Sequence, residues 1–174
     1  MKKLLAVAAG TATLLVAGPL AAASATATLN VTVTVSSNCQ ISTNSVAFGT
    51  YDPIAQNLTA PLTGNGSVVI TCTRGTGASL LLGPGANPSG STRRMRGGTG
   101  FIAYELYMPP SDSPGVPCSF ASPKVWGTAG NEVFVPLPAP SRDPRLYNVC
   151  GRIPEAQDVL AASYVDTVVA TANF

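Results

Sequence analysis

The chain contains no histidine. That removes histidine-based acid–base catalysis, the common serine–histidine triads and histidine metal ligation. Aromatic residues are scarce at 6% and charged residues at 10%. The low aromatic content argues against a sugar-binding cleft, and the eight acids are scattered through the chain (Asp52, Glu105, Asp112, Glu132, Asp143, Glu155, Asp158, Asp166). A glycosidase needs two carboxylates that converge in space, and nothing in the linear order pairs any two of these. No CxxC motif is present, so a zinc site has no support. After residue 25 no apolar run approaches a spanning length. No catalytic residue, metal or cofactor is expected.

What is abundant is equally informative. Gly (17) and Pro (15) are plentiful, and 45% of residues are hydrophobic. With many Thr, Ser, Val and Ala, this composition suits short strands joined by turns, hence an all-β sandwich or barrel. The 174 residues suffice for one domain.

Residues 1–25 read as a secretion signal. Lys2 and Lys3 form its positive end, Leu4 to Val16 its apolar run, and Ala23-Ser24-Ala25 a small-residue cleavage site. The run is short for a membrane anchor and ends at a processing site. Ten basic residues minus Lys2 and Lys3 leave eight against eight acids, so the exported chain is formally neutral. A neutral surface favours association and gives no reason to expect nucleic-acid binding. Arg93, Arg94 and Arg96 form a small basic cluster, but no aromatic interleaving or wider basic stripe accompanies it. A solvated or salt-bridged loop is the plainer reading.

The most regular stretch is Thr26 to Cys39. Leu29, Val31, Val33 and Val35 fall on one face of an extended chain, and Thr28, Asn30, Thr32 and Thr34 on the other. Further strands are expected at Ser67–Thr73, Ala78–Leu82, Phe101–Met108, Val133–Leu137, Leu146–Ile153 and Ser163–Phe174. Within Phe101–Met108, Ile102, Tyr104, Leu106 and Met108 share one side of the strand. Residues 52–66 read as loop with a turn at Gly64-Asn65-Gly66, and residues 83–100 as a long glycine-rich loop. No helix is expected after residue 25. In the last strand Tyr164, Val168, Ala170, Ala172 and Phe174 share a face, with Asp166 the polar exception. Three Asn-x-Ser/Thr triplets, at Asn30, Asn57 and Asn65, carry no weight in so threonine-rich a chain.

The four cysteines are Cys39, Cys72, Cys118 and Cys150. In an exported chain they read as disulfides. Four allow three pairings, of which Cys39–Cys72 with Cys118–Cys150 is favoured. Each of these closes a loop of about thirty residues, worth roughly 4 kcal/mol in the chain-entropy model.

The order of motifs resembles the spore coat protein U family, which includes subunits of archaic chaperone–usher pili of the Csu type. The matching pieces are NVTVTVSSNCQI (30–41), VAFGTYD (46–52), GSVVITCT (66–73), AYELYMPPS (103–111), VWG (125–127), VCGRIPEAQ (149–157) and ASYVDTVVATANF (162–174). The resemblance implies an incomplete immunoglobulin-like sandwich, completed by a donor strand from a neighbouring subunit. It divides the chain into the signal (1–25), an N-terminal donor strand (26–37) and a pilin-type domain (38–174). Leu29, Val31, Val33 and Val35 become donor residues. Tyr164, Val168, Ala170, Ala172 and Phe174 become an edge of the acceptor groove. Cys39–Cys72 corresponds to the family disulfide, whereas Cys118–Cys150 and the proline-rich inserts near 109–124 and 136–145 are departures.

The partners so implied are a periplasmic chaperone, an outer-membrane usher and neighbouring subunits, with export to the cell surface. Two other readings stand beside it. One is a secreted coat protein of the same fold. The other is a self-contained secreted binding module in which residues 28–35 pair within their own domain.

Overall fold

In the computed structural model, residues 22–174 are described. Residues 1–21, which hold most of the expected secretion signal, lie outside them. Residues 22–38 form no hydrogen-bonded strand and are exposed throughout. From there the elements run β1 (Cys39–Ala47), α1 (Gln56–Thr59), β2 (Leu62–Cys72), β3 (Ser79–Leu82), β4 (Arg93–Gly97), β5 (Gly100–Tyr107), a 3-10 turn (Gly130–Glu132), β6 (Arg145–Ile153) and β7 (Ala170–Asn173).

A five-stranded sheet in the order β1-β2-β6-β5-β4 faces a two-stranded sheet of β3 and β7. All the pairings are antiparallel. Period-two alternation decides what lies between the layers. Val68, Ile70 and Cys72 of β2, Ile102, Tyr104 and Leu106 of β5, Tyr147 and Val149 of β6, and Leu80 and Leu82 of β3 are all buried. Trp126 is completely buried among them, and its indole N–H donates to Leu80 O at 2.9 Å. The fold is an all-β immunoglobulin-like sandwich.

Five expectations about local structure are corrected, the last being the absence of any helix. Gly64-Asn65-Gly66 is not a turn but part of β2, paired with Val149–Gly151. The end of β1 folds over these glycines, and a Cβ on Gly64 would stand 2.9 Å from the Phe48 ring. Glycine is needed there for close approach. Residues 83–100 hold β4, which pairs with β5 from Arg93–Tyr104 to Gly97–Gly100 across a two-residue turn at Gly98-Thr99. Val133–Leu137 makes only an isolated bridge, Phe134 to Leu80, because Pro136 has no N–H to continue a ladder. The last strand is two pieces: Val165 bridges to Arg96 of β4, and β7 pairs with β3. A single helical turn, α1, also occurs. Its Asn57 is buried and bonded through its side chain to Asp52 N and Ala60 O, which removes it as a glycan acceptor.

Arg93 turns inward rather than to solvent. It is 4% exposed, pairs with Glu105, and donates to Gly83 O, Leu82 O and Trp126 O. A buried charge survives only when paired and hydrogen-bonded, and this one ties β3, β4, β5 and the Trp126 segment together.

Two disulfides form. Cys39–Cys72 joins residues directly paired across β1 and β2. Cys118–Cys150 fastens the proline-rich loop 109–124 over the outer face of the larger sheet. Asn148 Nδ2 donates to Val116 O at 2.7 Å, and Phe120 meets Tyr107 edge-on, which seals that loop down.

Candidate functional site: an open groove between two strand edges

β1 pairs only with β2, and β7 only with β3. Their remaining edges border the same opening between the sheets. A cavity of about 340 Å³ lies there, with Thr43–Val46 on one wall and Asp166, Thr167, Val168 and Ala170 on the other. Its floor is the core itself: Val68, Leu82, Leu106 and Val149.

The burial pattern shows that a layer is missing. Ile70 is fully buried, yet Ile41, its direct partner on β1, is 38% exposed. On the opposite wall, residues 164, 166, 168, 170 and 172 are half-buried and alternate with exposed neighbours. None of them is fully covered. A sandwich with a strand between β1 and β7 would bury both sets.

The expected acceptor residues are distributed as follows. Val168 and Ala170 line the groove, and Ala172 packs half-buried against the core further along β7. Phe174 is 58% exposed beyond the end of β7. Tyr164 lies apart from the main groove. Its ring packs over Gly97 and Gly100, its hydroxyl donates to Leu160 O, and it lines a second cavity of about 620 Å³ with Phe48 and Met95. Val46, Phe48 and Met95 line both cavities, so the second continues the first. Sequence reasoning missed the β1 wall altogether, because Ser42 to Ser45 are polar and show no apolar alternation.

Asp166 has a structural reason to interrupt the apolar face. It accepts from the Tyr104 hydroxyl at 2.7 Å, from Ala86 N at 2.8 Å and from Asn87 Nδ2 at 3.3 Å. Burial, and then the bond to Asp166, push the Tyr104 phenol well above its ordinary value. Gly85 lets the loop close on this carboxylate, because its φ is +86° and a Cβ would overlap Asp166.

Three of the stretches singled out in the sequence meet beside the second cavity, which Tyr51 lines. Gln157 donates to Ala103 O at 2.9 Å and accepts from Ala103 N at 2.8 Å, extending the β5 ladder past the end of β6. Tyr51 donates to Pro154 O and accepts from Gln157 N.

The expected donor residues are Leu29, Val31, Val33 and Val35, and they are 86%, 87%, 88% and 74% exposed. Among the described residues no group of three or more potential ligands could hold a metal ion, and no helix is long and apolar enough to cross a membrane.

The architecture is thus an immunoglobulin-like domain with an unfilled edge-to-edge groove. The chain belongs to the Spore Coat Protein U domain family, whose model matches residues 25–171. It is 36% identical over 188 residues to Protein U of Myxococcus xanthus, covering 100% of this chain and 98% of that protein. Among solved structures it is similar to a chain of the CsuC–CsuE chaperone–tip adhesion subunit pre-assembly complex from archaic chaperone–usher Csu pili of Acinetobacter baumannii. That match has a TM-score of 0.55 and 26% identity, and covers 81% of this chain and 41% of the other. The chain therefore spans less than half of that relative's length. A further similarity, to the E. coli Hda pilus minor tip subunit HdaB, has 15% identity and a TM-score of 0.37 over 76% of this chain and 79% of that one.

Proposed function

We propose that the protein is a non-enzymatic structural subunit of a surface fibre, assembled by donor-strand exchange. Its groove receives residues 26–37 of a second copy, or of a related subunit. The single observation that carries this reading is the groove between β1 and β7, in a chain whose one strictly alternating apolar segment is unpaired and exposed.

The energetics fit an exchanged strand. Burying four aliphatic side chains contributes roughly 6–12 kcal/mol. About ten ladder hydrogen bonds at about 1 kcal/mol each add a similar amount. Ordering about ten residues costs roughly 10–20 kcal/mol. The balance is near zero without the gain from completing the recipient core, so strand and groove should each be poorly ordered without the other. An open edge of this kind templates association.

A periplasmic chaperone is the expected first occupant of the groove, and an outer-membrane usher the site of exchange. The family and the chaperone–subunit relative support the chaperone and the neighbouring subunits, and the usher follows from the same reading. Export through a cleaved signal at residues 1–25 belongs to the same reading. A second reading, a spore-coat-type assembly built from the same strand exchange, is supported by the likeness to Protein U over the whole chain.

The test is an unheated SDS gel of the chain coexpressed with its chaperone and usher, beside a deletion of residues 26–36. The expected result is a ladder of multimers that collapses on boiling and is absent from the deletion. A single monomer band from both, with the intact chain folded and stable alone, rejects the reading in favour of a self-contained secreted sandwich.

A further inference from the structure

β6 opens with an arginine that faces inward. Arg145 lies opposite Ile70 in the β2–β6 ladder, and both are buried. Arg145 is 6% exposed, and a guanidinium keeps its charge at every ordinary pH. Its Nη1 reaches across the sandwich and donates to Leu137 O at 2.6 Å. Leu137 belongs to the segment that runs beside β3 on the side away from β7. There Phe134 bridges to Leu80, and Ala139 N donates to Thr76 O at 2.9 Å.

Three donors at this point are left over. Arg145 Nε and Nη2 are buried and have no hydrogen-bond partner among the described residues, and the same holds for the Tyr147 hydroxyl. Tyr147 is the next inward residue of β6 and is 1% exposed. The guanidinium carbon lies 6.0 Å from the centre of its ring. Burial pushes the Tyr147 phenol up, and the Arg145 charge is close enough to oppose that push. Nε and Nη2 project from the same edge of the guanidinium, the edge that grips an anion with two parallel hydrogen bonds.

No carboxylate takes that place. The ion pairs among the described residues are Arg93–Glu105 and Arg152–Glu155. Asp112, whose charge also reaches the Tyr147 phenol, is exposed. Arg93 supplies the contrast, because the same residue type at similar depth has Glu105 and three carbonyls around it.

We propose that Arg145 and Tyr147 bind one small monovalent anion of chloride size, held by Nε, Nη2 and the phenolic O–H. A buried charge survives only when it is compensated. A water molecule accepts these hydrogen bonds but leaves the charge uncompensated, whereas an anion supplies both. The surroundings favour a single small ion. Ile70 and the Phe134 ring, 5.1 Å from that of Tyr147, offer no donors for the further oxygens of a phosphate. The bound ion ties β6 to the Leu137 segment, and so fastens the two layers at the edge opposite the groove. This site does not depend on strand exchange.

The test follows the urea midpoint of the exported full-length chain while chloride replaces methanesulfonate at constant ionic strength. A ligand bound only by the folded state raises stability with the logarithm of its concentration above Kd. The native midpoint should follow that curve, and chloride NMR should show saturable line broadening with the same half-point. Tyr147→Phe keeps the ring against Phe134 and removes one donor. It should fold, and its half-saturating chloride concentration should rise about tenfold. Arg145→Gln should abolish both signals, and Asp112→Asn should retain them.

Equal midpoints in the two salts without line broadening overturn the proposal, since an ordered water then suffices. A chloride effect of native size and half-point in Tyr147→Phe overturns it as a general salt effect, and this comparison decides alone if Arg145→Gln does not fold. A native chain indifferent to chloride, with an Asp112→Asn variant that responds, assigns the Arg145 charge to Asp112 and overturns the proposal as well.

Discussion

The Tyr104 hydroxyl donates a 2.7 Å hydrogen bond to Asp166 Oδ2, joining β5 to the segment that leads into β7. This bond fixes one wall of the groove to the floor beneath it. Asp166→Ala removes it together with the bonds from Ala86 and Asn87. Leaving a buried phenol unpaired costs about 1–3 kcal/mol. The urea midpoint of the exported full-length chain should fall with an unchanged m value, and Asp166→Asn should recover part of the loss. A midpoint equal to that of the native chain in both variants would reject this role.

Alkaline pH probes the same bond. Burial raises the phenols of Tyr104, Tyr107 and Tyr147 above their ordinary value of 10.0. The unfolded chain then releases these protons first, so it binds fewer protons than the folded chain above pH 10. Stability contributed by the three groups is complete below that pH and declines as pH rises through the folded values. Tyrosinate absorbance should therefore rise in two stages, the second coinciding with loss of far-ultraviolet strand signal. Titration of all tyrosines in one step near pH 10, with the fold intact, would show that these groups are not protected.

The two disulfides should separate by function. Cys39–Cys72 pins β1, the groove wall that has only one strand neighbour. Replacing both of these cysteines with Ala should cost about 2–5 kcal/mol and abolish the SDS-resistant ladder. Replacing Cys118 and Cys150 should leave the ladder and expose residues 110–124 to limited proteolysis, because that bridge holds a loop on the outer face. The opposite assignment of ladder loss would exclude β1 as a groove wall.

Arg93 offers a fourth test. Glu105→Ala leaves its guanidinium buried without a counter-charge. Breaking one partner of a buried pair costs about 3–5 kcal/mol. Trp126, the sole tryptophan, lies directly against this network through its carbonyl. Its emission should shift to longer wavelength at a lower urea concentration in the variant. A midpoint unchanged within error would mean that the three carbonyl acceptors alone hold the charge.

Much of the local structure was legible in the residues. Alternation placed Ile102, Tyr104, Leu106 and Met108 together, and all four are buried. It did the same for Val68, Ile70 and Cys72. The glycine-containing part of β2, the arginine strand β4 and the polar strand β1 were not legible. Their side chains report no apolar period, because glycine makes room for Phe48, Arg93 is neutralised by Glu105, and β1 lies beside an open groove. Asp166 stood out in the sequence as an anomaly, but its meaning depended on Tyr104, sixty-two positions away.

By itself the amino-acid sequence determined an all-β chain, the faces of its clearest strands, the disulfide reading of its four cysteines and the family it resembles. These are local properties, set by a two-residue period and by residue chemistry. Tertiary structure alone decided which edges are left unpaired. Whether β1 meets β7 depends on hydrogen bonding between strands that are distant in the chain, and a side-chain period says which way a residue points but not what lies beside its backbone. The groove exists because no strand within residues 35–174 fills that place.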